Sequence, residues 1–95
     1  MRLRWSKDAL EDLTAIRRYI AENHPAAAQR VGQCILGAIT YLRDHPGIGR
    51  AGRVQGTREL VIPGLPYIVP YRVKENLIEL LRVLHTSRQW PKEEK

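Results

Sequence analysis

The 95-residue sequence lacks several features that mark whole classes of protein. Cys34 is its single cysteine, so the chain forms no internal disulfide, which is typical of a reducing compartment. No apolar run approaches the ~20 residues of a membrane span, and residues 1–5 do not have the apolar segment of a signal peptide. These absences predict a cytoplasmic protein that makes no contact with a membrane.

Recognisable ligand patterns are also missing. The histidines and acidic residues show no metal-ligand spacing, so we predict no metal and no other cofactor. Residues 47–52 match G-x-G-x-x-G, but they follow a predicted helix and precede a predicted strand, the reverse of the dinucleotide-binding order. We interpret residues 47–57 as a surface loop that carries Arg50 and Arg53. Cys34 is predicted to be a buried apolar residue, because Val31, Ile35 and Ala38 surround it on one helical stripe.

Acidic residues are few beside the basic ones, 10 against 16, which gives a net charge of +6. Twelve of the 16 cations are arginines, whose planar guanidinium groups suit phosphate and carboxylate. The charge therefore predicts an anionic partner, either nucleic acid or an acidic protein. Arg58, Arg72 and Arg82 fall on three successive predicted strands. They either converge on the sheet face away from the helices or form a solvated or salt-bridged surface there.

Periodicity and turn signals predict a single α+β domain. Ser6 is a favourable N-cap, and the expected elements are a strand at 2–5, helices at 7–23 and 25–44, strands at 58–62, 67–73 and 77–84, and a polar tail at 86–95. Helices that precede a run of strands indicate a helical hairpin packed on one face of a three-stranded antiparallel meander. Pro70 has no backbone donor, so we expect a bulge or distortion there.

Three segments together resemble one known family. They are RVQGTREL at 53–60, PYIVPYRV at 66–73 and RVLHTSRQWP at 82–91. They resemble the RelE/ParE toxin superfamily of type II toxin–antitoxin systems, in the branch of ParE-like plasmid-stabilisation toxins. The resemblance covers nearly the whole chain and implies the same α+β order of elements.

The resemblance implies one of two activities. ParE-like members inhibit DNA gyrase and are not nucleases, whereas RelE-like members cut messenger RNA in the ribosomal A site without a metal. Both kinds are neutralised by an acidic antitoxin, which also usually binds the operator DNA. No tyrosine follows Arg88, where RelE-like enzymes have a late catalytic one, and the indole of Trp90 cannot transfer a proton. These departures favour gyrase inhibition, with ribosome-dependent cleavage as the alternative and a harmless, antitoxin-binding member as a third.

The resemblance also implies three groups of site residues. A RelE-like catalytic site would use His85, Arg58, Arg88 and Arg72. The residues expected to contact the target or another anion are Arg50, Arg53, Arg82 and Trp90. The apolar residues of the hairpin expected to bind the antitoxin are Leu13, Ile16, Ile20, Val31 and Ile35. The hairpin and the exposed strand edges would offer a groove for an amphipathic helix or an added strand. We do not expect the chain itself to read operator sequence.

Overall fold

A computed structural model describes residues 1–91, and residues 92–95 of the predicted tail lie outside the described part. The elements, in chain order, are β1 (Arg2–Trp5), α1 (Lys7–Ala21), α2 (Pro25–Asp44), β2 (Arg50–Ala51), β3 (Arg58–Val61), β4 (Tyr67–Lys74), β5 (Leu77–Leu80) and β6 (Leu84–His85). Helix α2 has the expected range, with Pro25 in its first turn, where its missing N–H costs no hydrogen bond. Helix α1 ends two residues before the predicted position.

The strands form one mixed sheet in the order β1-β5-β4-β3-β2, and β6 also pairs with β4. The predicted antiparallel meander is present as β3, β4 and β5. Strand β1 pairs with β5 in parallel, and the connection between them is long, since both helices and strands β2, β3 and β4 lie between them in the chain. The predicted α+β fold class is confirmed, with a parallel strand pair added to the meander.

The helical hairpin covers one face of the sheet. The buried core comes from both layers and includes Ala9, Leu13, Ile35, Ile39, Leu42, Leu60, Ile62, Val69, Tyr71, Ile78, Leu80 and Val83. Gly32 of α2 lies close to α1: a Cβ at this position would lie 3.0 Å from Nε of Arg17. The tight contact between the helices explains why a weak helix former is tolerated in α2.

The predicted last strand, 77–84, is wrong as a continuous element. Strand β5 ends at Leu80, which lies opposite Tyr71, and β6 begins at Leu84, which lies opposite Ile68. The chain therefore places residues 81–83 opposite only two residues of β4, and this is a β-bulge. The distortion expected at Pro70 thus lies in the neighbouring strand, while β4 continues unbroken from Tyr67 to Lys74.

Pro70 explains how the bulge is bonded. Its carbonyl accepts the N–H of Leu81 at 2.9 Å, but it has no N–H to return to the carbonyl of Leu81. That carbonyl instead accepts the hydroxyl of Ser6 at 2.9 Å. The same hydroxyl oxygen accepts the N–H of Ala9, so Ser6 is the predicted N-cap of α1 and also supplies the donor that Pro70 lacks.

Asp12 of α1 binds two further groups of the bulge, the guanidinium of Arg82 and the backbone N–H of Val83. Its carboxylate accepts two hydrogen bonds from the guanidinium of Arg82, from Nε at 2.7 Å and from Nη2 at 3.0 Å. It also accepts the N–H of Val83 at 2.9 Å. The hydrogen bond to Asp12 raises the pKa of Arg82, so the guanidinium stays charged. The bulge is thereby fixed against α1.

Residues 46–57 do not form a plain surface loop. Their β2 segment pairs with β3, and the buried hydroxyl of Tyr71 donates to the carbonyl of Pro46 at 2.8 Å and accepts the N–H of Gly49 at 2.9 Å. Burial raises the pKa of Tyr71, so the hydroxyl is neutral at physiological pH. A Cβ at Gly49 would lie 2.6 Å from the Tyr71 hydroxyl, so only glycine permits this approach.

The predicted burial of Cys34 is wrong, because its side chain is exposed. The buried residues of α2 are Ala28, Gly32, Ile35, Ile39 and Leu42. Cys34 precedes Ile35 and is therefore rotated by about 100° from that buried stripe. Its sulfur lies 3.9 Å from the carbonyl oxygen of Pro63, at the margin of the sheet.

The substitution Ser6→Ala tests the double role of this hydroxyl. It should lower the free energy of unfolding by about 2 kcal/mol, because α1 loses its cap and the Leu81 carbonyl loses its donor, each worth about 1 kcal/mol. Urea denaturation measures the change. Thr40→Ala is the control, because it removes an exposed hydroxyl that bonds only within α2, and it should change stability by less than about 0.5 kcal/mol. A loss below about 0.5 kcal/mol for Ser6→Ala would contradict the assignment.

Candidate functional site

A tight turn after β6 brings two predicted site residues together. The N–H of Arg88 donates to the carbonyl of His85 at 2.9 Å, which returns Arg88 to the side of the histidine. With Ile16 and Tyr19 of α1 and Tyr67 of β4, these residues line a cleft of about 460 Å³ between the helix and the sheet. We call it the His85 cleft. Sequence reasoning did not identify the two tyrosines, since neither lies near His85 in the chain.

The ring of His85 has a defined orientation. Its Nδ1 accepts the N–H of Ser87 at 3.1 Å, and the hydroxyl of Ser87 lies 2.7 Å from the same atom. A ring nitrogen that accepts an N–H carries no proton, so the neutral ring bears its proton on Nε2. The ring meets Tyr67 edge to face, with 5.7 Å between the centroids. This arrangement leaves Nε2 as the atom that could exchange a proton with a ligand.

Arg58 does not reach the His85 cleft. It lies opposite Tyr71, whereas His85 lies opposite Tyr67, four residues away on the same strand. That separation is about 13 Å along β4. The guanidinium of Arg58 donates to the carbonyl of Gly49 at 2.8 Å, so it supports the segment before β2.

Of the two alternatives for Arg58, Arg72 and Arg82, the structure does not show convergence on one face, and Arg72 and Arg82 are in ion pairs. Arg72 lies on the face away from the helices, where its Nε is 3.8 Å from a carboxylate oxygen of Glu79. The bulge turns Arg82 to the opposite side, toward Asp12 of α1. Arg58 lies in register with the buried Tyr71 and therefore also faces the helix side.

Of the four residues predicted for a catalytic site, the structure brings together only His85 and Arg88. The other two, Arg58 and Arg72, lie on opposite faces of the sheet and outside the cleft. A reacting phosphate in the cleft would therefore meet one arginine and one imidazole.

Arg50 and Arg53 are held by Glu59, whose side chain is only 1% exposed. One carboxylate oxygen lies 3.0 Å from Nη2 of Arg50, and the other accepts the backbone N–H of Arg53 at 3.1 Å and lies 3.5 Å from its Nε. A buried carboxylate requires such partners. The side chains of Arg50 and Arg53 remain 54% and 42% exposed, so Glu59 fixes two cations at the surface. The sequence gives no signal for this role, because the burial of Glu59 depends on how the chain before β3 folds over it.

Trp90 packs against the body of the protein, although the sequence places it in a polar tail. It lines a pocket of about 390 Å³ with Arg72, Leu81 and Arg82. Its indole N–H is buried and has no hydrogen-bond partner within residues 1–91. Trp90 therefore lies beside Arg72 and apart from the His85 cleft.

The residues predicted to bind the antitoxin are largely covered by the sheet. Leu13 and Ile35 belong to the core, with 8% and 0% exposure. Ile16 and Val31 are half-buried against that core, and Ile20 is half-buried near the end of α1. Because the apolar stripe of the hairpin packs on its own sheet, Leu13 and Ile35 offer no surface to a partner.

Exposed apolar side chains gather instead between α2 and the edge of the sheet. A groove of about 400 Å³, which we call the Tyr41 groove, has Arg50 and Glu59 at one side and is otherwise lined by apolar residues: Ala38, Tyr41, Ile48, Leu60, Val61 and Pro63. Strand β2 pairs only with the first two residues of β3, so within the described part of the chain no strand covers β3 at Val61. An apolar groove beside an open strand edge is suited to a partner segment.

Residues 1–91 contain no group of three side chains placed to hold a metal ion. No helix among them has both the length and the apolar character needed to cross a bilayer.

Comparison with known proteins matches almost the whole chain. The family model for the ParE toxin of the type II toxin–antitoxin system parDE matches residues 3–90. The Sinorhizobium fredii protein Y4kP is 44% identical over 90 residues, which are 95% of this chain and 93% of that protein. Toxin RelE2 of Caulobacter vibrioides is 37% identical over 84 residues, which are 88% of this chain and 93% of that toxin.

The fold is also found in a solved toxin–antitoxin structure. A chain of the chromosomal ParDE system from P. aeruginosa matches with a TM-score of 0.82 and 32% identity, over 90% of this chain and 95% of that chain. Sequence motifs, fold and relatives agree. The chain therefore belongs to the ParE toxin family of type II toxin–antitoxin systems, within the RelE/ParE superfamily.

Proposed function

We propose that this toxin inhibits DNA gyrase by binding it, and that it does not cut messenger RNA. The observation that supports the proposal is the separation of the arginines from His85. Attack of a ribose hydroxyl on a phosphate needs cations placed around the developing charge and an acid and a base on either side. Within residues 1–91, the His85 cleft supplies Arg88 alone for the charge, while Arg58 is bonded to backbone carbonyls and Arg72 lies on the other face.

The surface proposed to contact gyrase includes Arg50, Arg53 and Trp90. Glu59 orders the two guanidinium groups before the target binds, which lowers the entropy lost on binding. Arginine and tryptophan are also the residues most often found at the energetic centre of protein interfaces. On this proposal the toxin is a binding protein, and its arginines recognise acidic groups of the target.

Ribosome-dependent cleavage of messenger RNA is the second candidate, and one observation favours it. Nε2 of His85 bears the proton of the neutral ring, while Arg88, Tyr19 and Tyr67 line the same cleft. An imidazole with a proton on Nε2 beside a substrate can serve as a general acid or base. On that hypothesis His85→Ala would lower the cleavage rate by about 10²-fold or more.

Two purified reactions separate the candidates, namely DNA supercoiling by gyrase and cleavage of messages on stalled ribosomes. We expect the wild-type toxin to stop supercoiling and to leave messages intact. His85→Ala should retain gyrase inhibition, and Arg53→Gln should weaken it about 30-fold or more, since hot-spot residues contribute about 2 kcal/mol or more. Arg43→Gln on α2 removes the same charge from the hairpin and is the matched control.

Supercoiling that persists at saturating toxin would overturn the gyrase proposal. Message cleavage that His85→Ala abolishes would then support the second candidate. Normal growth of bacteria that express the toxin alone would point to a harmless family member. Thermal melting of each variant separates loss of function from loss of fold.

We further propose that the acidic antitoxin places an extended segment in the Tyr41 groove. Tyr41, Ile48 and Val61 are 53%, 51% and 46% exposed, which supplies the apolar anchors of an interface. The open edge of β3 supplies unpaired backbone groups for an added strand. The net charge of +6 favours an acidic partner and guides its approach.

Two valines of similar exposure test this docking site. Val61→Glu should weaken binding of the cognate antitoxin by about 10²-fold, because a carboxylate would enter the apolar groove and face an acidic partner. Val73→Glu is the control, since Val73 is also an exposed strand residue but lies on β4, outside the groove. Calorimetric titration of each variant with the antitoxin measures the effect. Equal affinities of the two variants would contradict the proposed site.

A further inference from the structure

Strand β1 presents two arginines on the sheet face that carries no helix. Leu3 and Trp5 of this strand pack against the core. Alternate residues of a strand point to opposite faces, so Arg2 and Arg4 lie on the other side, and both are exposed. We call this side of the sheet the helix-free face.

The strand registers align these arginines with two cations of β4. Arg4 lies opposite Glu79 of β5, and Glu79 lies opposite Arg72. In the next row, Arg2 and Lys74 both lie opposite Leu77 of β5. The two cations of a row are about 10 Å apart, and the rows are about 7 Å apart. Among the described residues, four cations thus lie at the corners of a small rectangle that contains one acid, Glu79.

The single acid does not neutralise this surface. The carboxylate of Glu79 lies 3.8 Å from Nε of Arg72, which is longer than a direct hydrogen bond. The side chain of Arg72 remains 48% exposed. Its guanidinium therefore keeps donors for an external anion, and Arg2, Arg4 and Lys74 are exposed beside it.

We propose that the helix-free face binds the phosphate backbone of nucleic acid without reading its sequence. Three of the four corner cations are arginines, whose guanidinium groups match phosphate oxygens in pairs. A polyphosphate chain is an occupant that can engage several regularly spaced cations at once, and each neutralised phosphate releases counterions. The inference extends beyond gyrase inhibition and does not depend on it.

The distribution of apolar residues favours nucleic acid over an acidic protein on this face. Protein interfaces are centred on buried aromatic or aliphatic anchors. Over the described residues 1–91, the exposed apolar side chains gather in the Tyr41 groove at the open edge of β3. Between the cations of the rectangle lie Glu79 and the half-buried Leu77, and the aromatic side chain beside Arg72 is Trp90, which is half-buried in its own pocket. The molecule thus separates an apolar surface for a protein partner from a basic surface for phosphates.

Fluorescence anisotropy of labelled nucleic acid, without gyrase or ribosomes, tests the proposal. The probes are a duplex DNA and a single-stranded RNA of about 20 nucleotides each, titrated with the purified toxin at several salt concentrations. Four phosphate contacts predict that log K falls with log salt with a slope of about −3.5 on duplex DNA. The variant Arg4→Gln/Lys74→Gln should reduce the steepness of this slope by about 2.

The matched control is Arg30→Gln/Arg43→Gln, which removes two charges from the exposed surface of α2. It should leave the slope nearly unchanged on either probe. Tighter binding of the duplex would identify DNA as the source of the phosphates, and tighter binding of the single strand would identify RNA. Equal losses in the two variants would overturn the proposal, because binding would then reflect net charge alone.

Polyglutamate of matched charge serves as the competitor. If it binds the wild-type toxin and loses affinity in Arg4→Gln/Lys74→Gln while nucleic acid does not bind, the face recognises an acidic protein and the proposal fails. These readouts are independent of the supercoiling reaction. A failure to bind nucleic acid would not contradict gyrase inhibition. A failure to inhibit supercoiling would not contradict phosphate binding by the helix-free face.

Discussion

Pro70 cannot donate a backbone hydrogen bond to β5, and the consequences extend through the C-terminal half of the molecule. The carbonyl of Leu81, which would have accepted that donor, bonds to Ser6. The chain then inserts one extra residue opposite β4, and Asp12 accepts the N–H of Val83 and the guanidinium of Arg82. Buried backbone groups are costly when unpaired, so the start of α1 is as necessary to the bulge as the sheet is.

The bulge also separates structural from functional residues in one short segment. It directs Arg82 to α1, where its charge is balanced by Asp12, and it allows β6 to resume against β4. His85 and Arg88 follow at the end of that strand and line the cleft beside Tyr67. Without the inserted residue, the side chains after Leu81 would face the opposite sides of the sheet, because successive residues of a strand alternate.

Sequence reasoning predicted the local features of this fold and missed those that depend on distant partners. Ser6 was identifiable as a cap because its partner is three residues away. Pro70 predicted a distortion but not the strand that contains it. The bulge lies in the neighbouring segment, because Ser6 and Asp12 of distant elements supply hydrogen bonds there. Asp12 and Arg82 are 70 residues apart, so no local pattern reveals their pair. The predicted burial of Cys34 was wrong for another reason. Consecutive residues of a helix are rotated by about 100°, so a shift of one position moves a side chain from the core to the surface.

The same limit applies to the candidate site. The three segments at 53–60, 66–73 and 82–91 together indicated the family, and comparison with known proteins established it. The sequence segments could not show that Arg58 and Arg72 lie on opposite faces of the sheet. Nor could they show that Glu59 holds Arg50 and Arg53 at the surface. These contacts depend on the register of β2, β3 and β4. They change the interpretation of the arginines from a single catalytic cluster to separate groups with separate partners.

Three surfaces of this toxin therefore differ in their chemical character. In the part of the chain that the structure describes, the Tyr41 groove is mainly apolar, the helix-free face is basic, and the His85 cleft combines an imidazole with one arginine. On the proposal that the toxin inhibits gyrase, its cations serve recognition and need not surround one phosphate, as those of a ribonuclease do.

Pulse labelling of DNA and protein synthesis in bacteria, immediately after the toxin is induced without its antitoxin, tests this account most directly. The account predicts that DNA synthesis falls first, with DNA-damage signalling, while protein synthesis continues. Protein synthesis that stops first, with messages cut at codon positions, would contradict it.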